Sequence, residues 1–358
     1  TPRTSSAASD VYKRQALLFA SHGSTKVLQY TEIKDPQAGS DDVIVRVRAS
    51  ALNRIDVNQR AGTYTVPGFQ LPHVGGLDIA GEIAYLGANV AQDSAWQIGD
   101  RVVVNPSLSN VSSASTLCNR GDLYGELGVI GLNAPGGHAE LCVVPASHLH
   151  PIPKSMPFST AAVFPTAWMT AHHALFSVGK LKRNEILLIH AAASGVSSAA
   201  IQLAKAAGAK VLATASNAKK CAHATALGAD AVAINRNSEL VPWVHDNSNG
   251  RGANMVLDHV GPALWETSLF AMAPKARLVS CGNTTGDAVA IPSLGHLFSQ
   301  GLQILGSDAY RHSEFAPAWA DFCEQRFDPC IDTIFDLKDG ADAHQRLEQD
   351  QALGKLIL

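Results

Sequence analysis

The stretch that decides the fold is Glu185–Gly208, EILLIHAAASGVSSAAIQLAKAAG. Ile186-Leu187-Leu188-Ile189 is a short apolar run with the length of a fully buried parallel strand. Val196, Ala199, Ala200, Leu203, Ala204 and Ala207 then recur at helical spacing, and Gly208 stands where a left-handed helix cap is expected. Between strand and helix lies a turn of small residues, Ala191–Ser197. A helix N-terminus offers unpaired N–H groups and the positive end of a dipole, so small side chains there let a pyrophosphate reach the backbone. Gly195 is the single glycine of that turn and no G-x-G-x-x-G is present, so the turn alone leaves a ligand-free structural crossover open.

Downstream of about Met156, strand and helix alternate. Strands are expected at Ile186–Ile189, Lys210–Ala215, Ala231–Ile234, Met255–Val260, Arg277–Cys281 and Leu302–Gly306. Helices are expected at Ser159–Phe176, Ser197–Ala207, Ala218–Leu227, Leu240–Asn247 and Ala263–Met272. This alternation implies an α/β fold with a doubly wound parallel sheet covered on both faces. Upstream, Ala16–Val144 reads as short strands and turns: Val43, Val45 and Val47 alternate with Ile44, Arg46 and Arg48, and Gly75-Gly76, Gly99-Asp100 and Pro135-Gly136-Gly137 punctuate the runs. The tail, Ser313–Leu358, supplies a helix, a strand near Ile331–Phe335, an amphipathic helix at Ala341–Gln349 and a final strand, Lys355–Leu358.

The chain has 358 residues, 46% hydrophobic and 16% charged, with a net charge of −3, which suits about two globular domains. Without a basic excess a nucleic-acid partner has no support, and without a run of 18 apolar residues neither does a membrane span. The six cysteines form no C-x-x-C pair, so reduced thiols in a cytoplasmic enzyme are the simplest expectation. Thr1–Gln15 carries three basic residues but no apolar core, and is expected to be a leader outside the fold.

A β-rich first half, a dinucleotide fold and a returning tail together resemble the medium-chain dehydrogenase/reductase superfamily. The markers are Asn53-Arg54-Ile55-Asp56, Gly76-Leu77-Asp78-Ile79-Ala80-Gly81-Glu82, Gly99-Asp100-Arg101-Val102, Gly137-His138-Ala139-Glu140, Ala191–Ser197, Leu227-Gly228-Ala229-Asp230, Asp258-His259-Val260-Gly261, Cys281–Gly286 and Gly354–Leu358. The resemblance implies a GroES-like β-rich catalytic domain, 16–156 with 309–358, packed on a Rossmann NADPH-binding domain, 157–308, with the site in the cleft between them. It also implies a homodimer formed through the last Rossmann strand.

Zinc enzymes of this superfamily hold a catalytic metal at positions that fall here on Asn53, Leu77 and near Pro165. These residues do not make a tetrahedral N/S site. The four cysteines of a structural zinc lobe fall on Asn110, Ser113, Thr116 and Tyr124, while Cys118 lies off that register. No metal is therefore expected at either place.

NAD-binding folds usually place an acid after the second strand to bond the adenosine ribose. Here that strand ends Ala213-Thr214-Ala215-Ser216-Asn217, followed by Lys219 and Lys220, and hydroxyl plus cation suits a 2′-phosphate. The resemblance to zinc-free quinone reductases places Ser216, Lys220 and Arg236 at that phosphate. It places Ala193, Ser194, Gly195 and Val196 at the pyrophosphate, Thr170 beneath the nicotinamide, and Asn283 and Thr284 beside its carboxamide, next to Val260. Lys355 matches a position that closes over the cofactor from the tail. For catalysis, Asn53 offers an amide N–H to a substrate carbonyl, and Tyr64, in Arg60-Ala61-Gly62-Thr63-Tyr64, a hydroxyl. Donors of this strength suit conjugated acceptors, which delocalise charge after hydride arrives. The expected activity is NADPH-dependent reduction of quinones or α,β-unsaturated carbonyls. An alcohol dehydrogenase or aldehyde reductase, and a nucleotide-binding protein of little activity, are the alternatives. Ser197, where helix and strand pack closely, is expected to loosen cofactor binding.

Overall fold

The computed structural model describes residues 13–108, 128–235, 237–308, 310–325 and 327–358. Ile186–Ile189 forms a strand with every residue buried, as its unbroken apolar run requires. It lies third in a six-stranded sheet whose spatial order is Ala231–Ile234, Lys210–Ala215, Ile186–Ile189, Ala253–Asp258, Met272–Ser280, Gln303–Gly306. All neighbours are parallel. Numbered along the chain the order is 3-2-1-4-5-6, a doubly wound sheet whose ligand crevice opens outside the carboxyl ends of its first and fourth strands. Helices Gly195–Ala206, Ala218–Ala226, Asn237–Asp246 and Pro262–Phe270 connect the strands. Gly208 has φ +79°, the left-handed conformation foreseen for it.

The first half builds a seven-stranded sheet in the order Leu149–Pro151, Arg101–Val104, Asp78–Leu86, Asp42–Leu52, Lys355–Ile357, Ile331–Ile334, with Leu141–Pro145 pairing with Asp42–Leu52 as well. The final strand is thus interior to a sheet begun at residue 42, with Leu356 opposite Leu52 and Ile357 opposite Ala51. Helix Gly340–Glu348 packs beside helix Arg54–Ala61, and the guanidinium of Arg60, only 1% exposed, pairs with Glu348. A smaller sheet runs Leu28–Lys34, Lys13–Phe19, His73–Val74.

Two readings shift. Lys13, Arg14 and Gln15, set aside with the leader, pair with Lys34, Ile33 and Glu32 in that small sheet, and Arg14 is buried. The single helix expected at Ser159–Phe176 is four consecutive pieces: Phe158–Ala162, a wide-turn segment Phe164–Trp168, Met169–His172 and a second wide segment His173–Val178. Pro165 lacks an N–H and cannot close a normal turn, which accounts for the first widening.

Candidate active site

The turn after Ile189 ends at Ser194, whose hydroxyl caps helix Gly195–Ala206 by accepting from Ser197 N at 3.1 Å. Behind it lies a buried hydroxyl–imidazole network. Ser197 Oγ donates to the carbonyl of His190 at 2.7 Å and meets His259 Nε2 at 2.8 Å, and Ser194 Oγ lies 3.2 Å from the same nitrogen. The His190 ring spans Thr214 Oγ1 (2.9 Å) and Ser268 Oγ (2.8 Å), so hydroxyls from the second strand and the fourth helix lock its orientation. Burial pushes His190 down to about 3 and His259 to about 4, leaving both neutral near pH 7.

The last two strands of this sheet end at an open cleft of about 380 Å³ lined by Cys281, Gly282, Asn283, Asp287, Ser307 and Asp308 among others. The loop Asn283–Gly286 is tied to the fourth strand's end: Thr284 N donates to His259 O and Thr285 N to Val260 O. Asp258 accepts from the N–H groups of Val260 and Gly261 and holds the opposite lip.

The tail closes over the turn. Gly354 N donates to Ala193 O at 2.8 Å. The Lys355 stem then passes so close to Gly195 that a Cβ there would sit 2.7 Å from Lys355 Cδ. A side chain at position 195 would require the Lys355 stem to shift. The ammonium continues into a buried polar cluster in the first half. Lys355 Nζ donates to Asn53 Oδ1 at 2.5 Å and to Asp78 Oδ2 at 3.1 Å, with side chains 5% exposed for Lys355 and 0% for Asp78. Asn53 Nδ2 donates to Asp78 Oδ2 (3.0 Å) and Ala51 O (3.2 Å), and Thr166 Oγ1 donates to Asp78 Oδ1 at 2.5 Å.

Asn53 caps helix Arg54–Ala61, and its backbone N–H donates to Asp56. Asp56, fully enclosed, is raised to about 7, first by burial, while the N–H groups of Asn53 and Gly76 oppose the rise and the charge of Asp78 adds to it. Leu77 packs with Val66 and Leu132, with Tyr64 against them, and Pro165 is buried in the wide helical segment. Among the described residues no group of three or more His, Cys, Asp or Glu is placed to hold a metal ion.

Family comparisons agree with this architecture. Residues 39–154 match the alcohol dehydrogenase GroES-like domain, and residues 195–324 match the zinc-binding dehydrogenase family. A quinone oxidoreductase of Pseudomonas aeruginosa is 30% identical over 337 residues, covering 94% of this chain and 92% of its own length. The chain belongs to the medium-chain dehydrogenase/reductase superfamily. It sits on the quinone-oxidoreductase-like branch, and it is an NAD(P)H-dependent oxidoreductase. Among solved structures, one described as an NAD-dependent alcohol dehydrogenase is 32% identical with a TM-score of 0.89, over 96% of this chain and 99% of the other. A mycobacterial protein complexed with NADPH is 25% identical with a TM-score of 0.81, over 96% and 99%. The family description includes zinc binding, yet the positions where the resemblance puts the ligands hold an amide, an alkyl side chain and a proline.

The fold gathers Ala193, Ser194, Gly195, Val196, Val260 and Lys355 around one turn, with Asn283 and Thr284 on the loop tied to it. Thr170 is half-buried on helix Met169–His172. Ser216 is exposed just past the second strand, and Lys220 stands in the first turn of the next helix, whose cap Asn217 accepts from Lys220 N. Arg236, like Asn110, Ser113, Thr116, Cys118 and Tyr124, lies outside the described residues. Asn53 is where expected, but both of its amide N–H groups are engaged inside the protein. His190, Thr214 and Ser268 carry no signal in local spacing and were not anticipated. Asp78 appears in the sequence only within the Gly76–Glu82 marker, and Thr166 carries no signal there.

Proposed function

We propose that this reductase transfers hydride from NADPH to quinones or other conjugated carbonyl compounds without a catalytic zinc. The observation that carries the reading is the Lys355–Asp78–Asn53 cluster at the place where zinc ligands would stand. An ammonium has three donors. Two are committed, to Asn53 and Asp78, which leaves one N–H for an acceptor oxygen, whereas Asn53 has none to spare. Asp78 and Asn53 thus act as positioning residues that aim Lys355, and Thr166 fixes Asp78. Lys355 supplies the electrostatic stabilisation of a developing oxyanion that a metal would otherwise give. Tyr64, against the Leu77 cluster, walls the same space.

The residues present fit a nicotinamide dinucleotide. The start of the helix at Gly195, the absence of side-chain bulk at Ala193 and Gly195, and the 3-2-1-4-5-6 sheet order suit its pyrophosphate. Ser194, Gly195 and Val196 would hold that group, Ser216 and Lys220 a 2′-phosphate, and Val260, Asn283, Thr284 and Thr170 the nicotinamide end. When bound, the cofactor supplies the hydride. The phosphate form is favoured by the missing acid after Ala215 and by the NADPH carried by one structural neighbour; the neighbour described as NAD-dependent favours the other form and the alcohol dehydrogenase reading. A panel of quinones, enones and aldehydes, assayed on chelator-treated protein with each cofactor, tests the proposal. Turnover with quinones or enones and NADPH is expected. Activity restored only by zinc, or confined to alcohols with NAD, overturns it.

A second copy of the chain fits the sheet's open edge. Strand Gln303–Gly306 is terminal in its sheet, and Leu294, Phe298 and Ile304 beside it are 67%, 77% and 37% exposed. Phe298→Asp is expected to convert a dimer to a monomer in size-exclusion chromatography with light scattering; a monomeric unsubstituted protein would refute this.

A further inference from the structure

In a doubly wound sheet a dinucleotide lies across the crevice, one mononucleotide on each half. With Ser216 and Lys220 on the first half, the nicotinamide end falls to the second. The last two strands of that half, Met272–Ser280 and Gln303–Gly306, end at the open cleft of about 380 Å³. The charge of this cleft is one-sided. Among the described residues that line it are two carboxylates, Asp287 and Asp308, and no lysine, arginine or histidine. Both carboxylates meet solvent: Asp287 lies on the exposed loop after Gly286, and the Asp308 side chain is 53% exposed.

Neither charge is cancelled by its partners. Asp287 Oδ1 accepts from Asn283 Nδ2 at 3.0 Å, a neutral donor that positions the carboxylate and leaves its charge intact. Asp308 has a cationic neighbour, but a shared one. His173 Nε2 lies 3.3 Å from Asp308 Oδ1, while His173 Nδ1 lies 2.7 Å from Glu314 Oε2. Burial works to lower the His173 pKa, yet the two carboxylates raise it above its ordinary value. One imidazolium thus serves two carboxylates, and the trio keeps a net negative charge. Glu314 is bonded further by Ser177 Oγ and by Arg311 N, so Asp308 is the member of the trio that faces the cleft.

A nicotinamide ring that has given up hydride, a proton with two electrons, carries one positive charge that the reduced ring lacks. Adenosine, phosphates and ribose are common to both forms, so their contacts cancel in the ratio of the two affinities. A carboxylate in a solvated cleft separates the forms by its Coulomb energy, about threefold per charge at roughly 7 Å in water and less as salt rises. We infer that Asp287 and Asp308 tilt the bound cofactor toward its cationic, oxidised form and so favour the departure of hydride; this rests on the dinucleotide reading above. The two ends of the transfer are then served by opposite charges, with Lys355 facing the negative charge that reaches the acceptor.

The test is calorimetric titration of the whole protein with the oxidised and reduced forms of NADP and of NAD, at about 20 mM and about 0.5 M sodium chloride. In low salt, Asp287→Asn and Asp308→Asn should each lower the affinity for the oxidised form, relative to the reduced form, about threefold, and the double variant about tenfold. The changes should shrink toward unity in high salt, and Asp308→Glu should keep the ratio near that of the unsubstituted protein. A ratio unmoved in the double variant, or shifted toward the oxidised form, overturns the inference and leaves the dinucleotide reading standing, because both forms still bind. Failure of all four nucleotides to bind overturns both.

Discussion

Two buried polar clusters meet at the Ala191–Ser197 turn, and they are held together by different forces. Behind the turn, Ser194, Ser197, His259, His190, Thr214 and Ser268 are joined by neutral hydroxyl–imidazole bonds. In front of it, Asn53, Thr166, Asp78 and Lys355 are organised by an ion pair with almost no exposure. Both are largely buried, yet their fragility differs. Losing one neutral partner costs about 1–3 kcal/mol, whereas stripping one partner from a buried ion pair costs about 3–5 kcal/mol because the other charge stays behind. The neutral cluster is a scaffold; the charged one keeps a donor ready.

The largest effect is expected at Lys355. Lys355→Met should destabilise the protein by about 3–5 kcal/mol, and Lys355→Met combined with Asp78→Leu should regain most of that loss in denaturant titrations. Turnover should fall about 10²–10³-fold in both variants, with KM for NADPH little changed. A raised KM with unchanged kcat would mean that Lys355 serves the cofactor and not the acceptor.

Acidity separates the clusters next. His190 and His259 titrate below their ordinary 6.5 in the folded protein, at about 3 and about 4. Their contribution is full above pH 6.5 and drains away as pH falls through this window. Asp56 does the reverse. Raised from 3.8 to about 7, it contributes fully below pH 3.8 and loses stability as pH rises toward 7. Across pH 4–6.5 the slopes oppose, each at most about 1.4 kcal/mol per pH unit. In urea titrations across this range, His259→Asn should tilt stability toward acid and Asp56→Asn toward neutral pH. Tilts of the same sign would refute the contrast.

The smallest effect is at Ser197. Its hydroxyl is bonded on both sides, so Ser197→Ala should cost about 1–2 kcal/mol, and Ser197→Gly about 1 kcal/mol more through helix propensity. Cofactor binding by the glycine variant should weaken in a fluorescence titration, in contrast with the loosening role that the sequence alone suggests for serine.

The parallel sheet was legible because its signal is local. Ile186–Ile189, Lys210–Ala215 and Ala231–Ile234 have the limits their apolar runs imply. The turn, the Gly208 cap and the tail strand follow from the same short-range rules. The two clusters were legible only in fragments. His190, Thr214 and Ser268 come from three separate elements, and no periodicity marks residues that meet only when strands stack. Asn53 showed the opposite failure: its position was legible, but the commitment of its amide N–H groups to Ala51 O and to Asp78, 25 residues away, was not. The wide turns were equally hidden, since Ser159–Phe176 reads as one uninterrupted helix.

Strand Lys355–Ile357 lies inside a sheet whose neighbouring strand ends at Leu52. During synthesis the Ala51–Leu52 end of strand Asp42–Leu52 therefore waits for this partner while some three hundred further residues emerge. Until then Asp78 is a carboxylate without its ammonium, and the turn at Ala193 lacks its latch at Gly354. The latch at Gly354 and the ammonium of Lys355 therefore reach their partners together, carried by the last strand laid into the sheet.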